Sequence, residues 1–599
     1  MPSLALAGFA VAAAALPLRA QLTYPDCPAL AASDFQAVEL FSKSGAGGIA
    51  KDADLSEPTR MDVRVVNDAQ GKYQRTDVIF VERFGNVKWY DGAAKTVSLM
   101  GHIDVHAGPA TGEDDNGLMG VVFDPAFEQN RWIYLWYSPK TTYSDPLMSV
   151  TSTATNAYRQ LRLSRFTVTS ANKLDMASEK FLIKILANRR DQYHGGGPLA
   201  FDAYGDLWIA IGNNGPDLQP TDCDKGLNVL HPTDSVFSGE WGPSNTASMR
   251  GGFLRIHPDG SEKGYSIPAG NFGEYWAGKF AAQGDANLAA QYLDPKKVLP
   301  EVYVKGERSN FSIAVHPTKR WLAWGTVNHA SNMDELNVTA HPAFTGYPYF
   351  HGNNAKTCNH DKTPAKPMNT SALNSGVSQL PPALAAARTN LVNVVIGGPI
   401  YAFDACLDSD VKFPPHFDEK WLVSGFGRSG QPWDIWAATF GGTADSMTLV
   451  NTTALKGGLF SGVPIRNFIG ASFGKDGALY ILNYGGDYND ASNNPGLTRV
   501  TYKGSCKVPK PANCVTALPK SPGFRDLRAD PLSFRVEESG PHTLDLYDLA
   551  GHRVWTVAGR GPHRYALAEI RSRNALPPGI YQVRLRSGAG DFSWRISLI

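Results

Sequence analysis

The run His194-Gly-Gly-Gly-Pro-Leu199-Ala-Phe-Asp-Ala-Tyr204-Gly-Asp-Leu-Trp208-Ile-Ala-Ile-Gly212 joins a histidine with three glycines, a polar turn and a short aromatic–aliphatic strand. The turn and strand recur elsewhere. Gly85-NVKWYD, Arg131-WIYLWY, Arg320-WLAWG, Lys420-WLVSGF and Gly477-ALYILNYG repeat the strand. VVFDPAF from Val121, LAFDAYGD from Leu199, IAVHPTKR from Ile313 and ASFGKDGA from Ala471 repeat the turn. The strand signals lie about 46 to 115 residues apart, an irregular repeat with long insertions. Short strands returning at such spacing predict one four-stranded sheet per repeat around a common axis, and six signals predict six blades.

Composition agrees with an all-β chain. Of 599 residues, 59 are Gly and 40 are Pro, and aromatics make up 11%. Turn formers and aromatics in that proportion suit many short strands. Helical periodicity is scarce, and Ala383-LAAARTNL after Pro381-Pro382 is its clearest candidate. Lys+Arg 57 against Asp+Glu 56 disfavours nucleic acid as a partner, which would call for a basic excess.

Residues 4–18, LALAGFAVAAAALPL, are too short to span a bilayer and fit a secretory signal, with cleavage after Ala20. No other segment reads as a membrane span, so the chain is expected to be secreted, periplasmic or at the cell surface. The six cysteines are even in number and lack any Cys-x-x-Cys, which suits disulfides better than zinc or redox pairs. Cys506 and Cys514 bracket a Pro-rich stretch and can close a small loop.

Residues 505–529 read as a Pro/Lys/Ser-rich linker. Beyond them, 530–599 alternate polar and apolar residues as short antiparallel strands with one buried face, a small β-sandwich. The expected architecture is therefore a signal peptide at 1–20, a propeller at 35–504, a linker, and an immunoglobulin-like C-terminal domain.

Four clusters carry chemistry. His194 has the pKa range of a general base, and its glycines allow backbone to approach a planar ligand. Arg308, in Gly306-Glu-Arg-Ser-Asn310, offers a fork for a carboxylate. The polar stretch Asn328-His-Ala-Ser-Asn-Met-Asp334-Glu335-Leu-Asn337 combines carboxylates with a loop, in a spacing unlike an EF-hand. Arg428 sits in a glycine-flexible loop, Gly425-Phe-Gly-Arg-Ser-Gly430. No Walker loop or His-Glu-x-x-His occurs.

In order, these clusters resemble the glucose/sorbosone dehydrogenase family, the soluble sugar dehydrogenases that use pyrroloquinoline quinone (PQQ). Asn116-Gly-Leu-Met-Gly120-Val-Val-Phe123-Asp-Pro125-Ala-Phe127 and His194-Gly-Gly-Gly-Pro-Leu199 through Gly205-Asp-Leu-Trp208 carry the resemblance most specifically. Phe253-Leu-Arg-Ile-His-Pro-Asp-Gly260, Gly306-Glu-Arg308-Ser-Asn310, Asp334-Glu-Leu-Asn337 and Asp476-Gly-Ala-Leu-Tyr480 extend it.

The resemblance implies a six-bladed propeller with PQQ on its axis. It implies His194 as general base, and Arg308, Asn310 and Arg428 as ligands of the cofactor carboxylates. A Ca²⁺ would be held at His329, Ala330, Asp334 and Glu335, and Asp115 and Asn214 would lie near substrate. The chain departs from the family at His329-Ala330, where Gly-Pro is common, and at Gly212-Asn213, where Gly-Asp is usual. The implied activity is oxidation of a small-molecule sugar or alcohol, with electrons passed to a separate acceptor. The other class the residues allow is a non-catalytic propeller that binds carbohydrate or protein at the cell surface. The tail resembles the sorting domains of type IX secretion at Leu546-Tyr-Asp548, Gly551 and Pro578-Gly-Ile-Tyr581, with a generic spacer domain as the alternative.

Overall fold

The computed structural model describes residues 29–506 apart from 69–72, 108–115, 141–157, 189–193, 215–238, 320, 329–333, 358–359, 390, 393, 428–433, 444–445 and 488–492. Beyond these it describes residues 508, 533–536, 541–547, 553–560, 563–566, 576, 579–587 and 590–598.

Six antiparallel sheets surround one axis, each with four radial strands. Their innermost strands are Pro58–Asn67, Leu118–Phe123, Leu199–Phe201, Ala314–Val315, Val395–Ile400 and Phe468–Phe473. Each packs against the next, and the last packs against the first, which closes a six-bladed propeller. Closure uses both ends of the domain. In blade six the outermost strand is the N-terminal Phe35–Ser42, paired antiparallel with Gly496–Tyr502. The ring thus has no open seam, which removes a free edge at its one chain break.

The recurring strand signal marks the second strand in five of the six blades. The runs from Arg131, Gly205, Arg320, Lys420 and Gly477 are second strands of blades two to six, and Asn86–Asp91 is the third strand of blade one. Their aromatics stand between blades: Trp89, Trp136, Trp208, Trp324 and Trp421 are all fully buried. Burying one such ring contributes roughly 2–3 kcal/mol before side-chain entropy is counted.

The turn signal has a common cause too. In blade two Asp124 Oδ1 accepts the N–H of Ala126 (2.8 Å), and in blade three Asp202 Oδ1 accepts that of Tyr204 (2.8 Å). The same acidic groups reach across to Tyr134 Oη and Trp208 Nε1 on the second strand. In blade four the equivalent residue is His316, whose Nδ1 accepts the Thr318 N–H at 3.2 Å.

The expectation of a helix after Pro381-Pro382 is corrected. Ala383–Leu391 is not helical: Ala383 N–H donates to Pro364 O, Leu384 N–H to Phe344 O, and Arg388–Thr389 becomes the outer strand of blade four. Tertiary backbone partners outweigh alanine's helix propensity there. Helices form instead at α1, Phe272–Ala282, and α2, Ala286–Leu293, inserted in blade three. Asp285 caps α2 by accepting the Leu288 N–H at 2.9 Å.

The C-terminal part forms a four-stranded sheet, with Pro541–Tyr547 and Gly579–Ser587 at its centre, and a two-stranded sheet of Ser533–Val536 with His563–Ala566. Neither described cysteine, Cys406 or Cys506, is free, and the other four lie outside the described residues. Among the described residues no helix is long and apolar enough to cross a membrane.

Candidate functional site

All inner strands begin at the same end of the propeller, so the residues just ahead of them meet around the axis. Asn116-Gly117 leads into blade two, His194–Pro198 into blade three, and Arg308–Ile313 into blade four. The loops after the second strands return to this end, bringing Gly212–Asn214 and Asn328 with them.

His194 adopts φ +58°, is almost fully buried, and places Nδ1 2.7 Å from Asn213 Oδ1. Asn213 Nδ2 donates to Tyr347 Oη at 3.4 Å, which turns its oxygen toward the imidazole. With the amide in this orientation Nδ1–H donates to Asn213, the tautomer in which Nε2 is the proton-accepting nitrogen.

Glycine makes this approach possible. A Cβ on Gly212 would stand 2.2 Å from His194 O, and one on Gly195 would stand 2.7 Å from Asn116 Oδ1.

Arg308 joins the same cluster through the backbone. Its carbonyl accepts the Asn213 N–H at 2.7 Å, its Nη1 donates to Val327 O at 2.8 Å, and its side chain is buried. Asn214 N–H donates to His194 O at 3.1 Å. Asn310 Nδ2 donates to Ile211 O at 3.3 Å, while its buried Oδ1 has no hydrogen-bond partner. The structure thus brings His194, Asn214, Arg308 and Asn310 together. Asp115, His329, Ala330 and Arg428 lie outside the described residues.

Asp334 and Glu335 accept hydrogen bonds from Asn328 and from segments distant in sequence. Asp334 accepts N–H groups from Asn328 (2.9 Å) and Val394 (2.5 Å). Glu335 accepts from Asn328 Nδ2 (2.8 Å), Gly352 N (2.6 Å) and Asn337 Nδ2 (2.9 Å). Burial raises Asp334 to about 6 and Glu335 to about 7, both against these hydrogen bonds.

Glu307, beside Arg308, is raised to about 8 by burial and by the neighbouring Glu335 charge. Trp324 Nε1 at 2.9 Å and the Thr326 hydroxyl hold it. Among the described residues no group of three His, Cys, Asp or Glu is arranged for a metal. Each oxygen of Asp334 and Glu335 already accepts a hydrogen bond from the protein, so the two carboxylates are held by the chain itself.

For an anionic cofactor the described residues offer the Arg308 guanidinium, and the buried Asn310 Oδ1 can accept from a ligand N–H or O–H, while the glycines around His194 are filled by the protein's own backbone and side chains. Two residues of this cluster have weak sequence signals. Asn213 is visible only as the amide in Gly212-Asn213, and Tyr347 has no signal, because it arrives from a distant loop.

Solved structures similar to this chain include a glucose dehydrogenase described as a putative oxidoreductase from Thermus thermophilus (15% identity, 78% of this chain and 99% of that one, TM-score 0.48). Another is the apo soluble aldose sugar dehydrogenase of Escherichia coli (18% identity, 78% and 99%, TM-score 0.46). A third is the PQQ-bound aldose sugar dehydrogenase of Streptomyces coelicolor (14% identity, 74% and 99%, TM-score 0.40). Residues 72–264, which contain both the Asn116–Phe127 motif and the whole His194–Asn214 turn, match the family model described as Glucose / Sorbosone dehydrogenase.

Proposed function

We propose that this protein is an exported oxidoreductase that oxidises a sugar or related alcohol, with PQQ as the cofactor and His194 as the base. The observation that carries the reading is the tie between His194 Nδ1 and Asn213 Oδ1, within the matched span and directly bonded to the Arg308 backbone. PQQ, when bound, supplies a quinone carbon able to accept hydride. The protein's part is to orient and to move one proton. Arg308 would supply the cation for the cofactor carboxylates. His194 Nε2 takes the hydroxyl proton of the substrate as its C–H bond gives up hydride, and Asn213 keeps the ring in the required tautomer. A Ca²⁺ would rely on main-chain carbonyls of the His329-Ala330 segment, and no step is assigned to it.

The test is reconstitution of the purified chain with PQQ and Ca²⁺, followed by dye reduction on a panel of aldoses and alcohols. Turnover that falls at least about 100-fold in His194→Ala supports the reading. Folded protein with no PQQ-dependent absorbance or activity sinks it, and sugar binding without turnover assigns the propeller to the binding class. Export predicts a mature N-terminus near Gln21, and N-terminal sequencing that finds Met1 retained would reject it.

A further inference from the structure

Arg60, the third residue of blade one's inner strand, points into the central channel. Its Nη1 donates to Thr59 O (2.6 Å) and to Ile469 O in blade six (3.1 Å), and its Nη2 donates to Phe311 O ahead of blade four (2.5 Å). Blade four stands opposite blade one in a ring of six, so the guanidinium spans the axis. Its level is fixed as well: Ile469 is the second residue of its strand, and Phe311 follows Asn310. The fork therefore lies directly beneath the mouth that holds Arg308 and Asn310.

All three acceptors are neutral carbonyls. Among the described residues no carboxylate pairs with Arg60. The next charges on the same strand face are committed elsewhere. Asp62 accepts the N–H groups of Val63 (2.8 Å) and Phe123 (2.9 Å), and Arg64 pairs with Asp77 and Glu128. Arg60 is partly accessible from the channel, yet the surrounding walls desolvate it and pull it down to about 10, so it stays charged at neutral pH. A desolvated cation without a counter-ion is costly, and an anion placed beside it relieves that cost.

We propose that Arg60 is a further anion-binding residue of the axial site, its guanidinium forming a cationic floor that retains a polycarboxylate ligand at the mouth. The identity of that polycarboxylate as PQQ rests on the functional reading above. The three carbonyl bridges hold the fork in place before the ligand arrives, so little ordering opposes binding.

The experiment titrates cofactor-free, full-length wild type, Arg60→Gln and Arg60→Lys with PQQ, followed by intrinsic fluorescence and absorbance at several ionic strengths. Melting of each apo protein is recorded alongside. Arg60→Gln is expected to weaken PQQ binding about tenfold or more and to flatten its salt dependence, while Arg60→Lys keeps most of the affinity. Arg60→Gln binding PQQ like wild type, or Arg60→Lys binding as poorly as Arg60→Gln, overturns the role of the charge. If Arg60→Gln does not fold, Arg60→Lys and the wild-type salt slope decide: affinity kept with a steep slope supports the proposal, and affinity lost or no slope overturns it. A parallel titration with citrate separates the two readings. Wild type that ignores PQQ but binds citrate through Arg60 refutes the quinone and keeps the cationic floor. Wild type that binds neither overturns the floor.

Discussion

His194 Nδ1 and Asn213 Oδ1 lie 2.7 Å apart, and the Asn213 N–H donates in turn to the Arg308 carbonyl at 2.7 Å. One asparagine thus fixes the ring of the proposed base and the backbone of the proposed cofactor fork. Its side chain is neutral, so it selects a tautomer without favouring the imidazolium. A carboxylate at the same place would do both.

That difference is open to measurement. Asn213→Asp is expected to raise the acid limb of the pH–rate profile by about one unit, because an adjacent carboxylate stabilises protonated His194. Asn213→Leu keeps the volume but frees the ring, and kcat is expected to fall roughly tenfold or more with a smaller change in KM. An unchanged acid limb in Asn213→Asp removes Asn213 from control of the base.

Gly212 is the second support of the histidine. Gly212→Ala would bring a methyl group to 2.2 Å from His194 O and 2.9 Å from its Cβ, backbone and side chain that cannot simply swing away. The expected result is loss of activity together with about 1–3 kcal/mol of stability, read from urea unfolding. Gly260→Ala meets nothing within 4 Å and is the control, expected within about 0.5 kcal/mol of wild type.

Lys305 gathers three backbone carbonyls around one buried amine. Its Nζ donates to the carbonyls of Gly242 (2.8 Å), Ser248 (2.9 Å) and Arg250 (2.6 Å). Burial, with the Arg250 charge adding to it, holds it well below the usual amine range. Lys305→Met removes one donor from three carbonyls, of which Gly242 O keeps the Asn245 N–H (3.2 Å), and the cost is expected to reach about 1–3 kcal/mol. Hydrogen exchange should rise first in residues 239–251; protection unchanged there would show that the clamp is idle.

The blades were readable because their second strands combine bulky aromatics with a fixed turn, and both features come from local chemistry repeated around the axis. His194 and Arg308 were readable because a histidine beside three consecutive glycines and an arginine between polar residues carry chemistry at the loop level, without needing a distant partner. Arg60 was not. Arg60-Met61-Asp62-Val63-Arg64 alternates polar and apolar residues as a strand facing water would, so the pattern alone does not place Arg60 at the axis. Tyr347 was hidden for a different reason: its contact with Asn213 joins residues 134 positions apart. Ala383–Leu391 misled because its helix propensity is intrinsic, whereas the partners that straighten it come from elsewhere in the chain.

His316 gives the propeller an acid sensitivity that its aspartate counterparts lack. Asp124 and Asp202 accept the turn N–H through a carboxyl oxygen, but His316 can accept the Thr318 N–H only while neutral. Burial, with Lys319 adding repulsion, pulls it from 6.5 to about 3. Its Nε2, which carries the single proton of the neutral ring, is buried with no hydrogen-bond partner, and a second proton would have to enter at Nδ1 against the Thr318 N–H. The unfolded chain therefore binds that proton first as pH falls. The contribution is fully present above about pH 6.5 and is lost between there and pH 3, at up to about 1.4 kcal/mol per pH unit. Urea unfolding of wild type at pH 7 and pH 5 should show the decline, and His316→Asp, which restores the acceptor used by the other blades, should make it shallower. Equal slopes in the two proteins would assign the acid sensitivity to other groups.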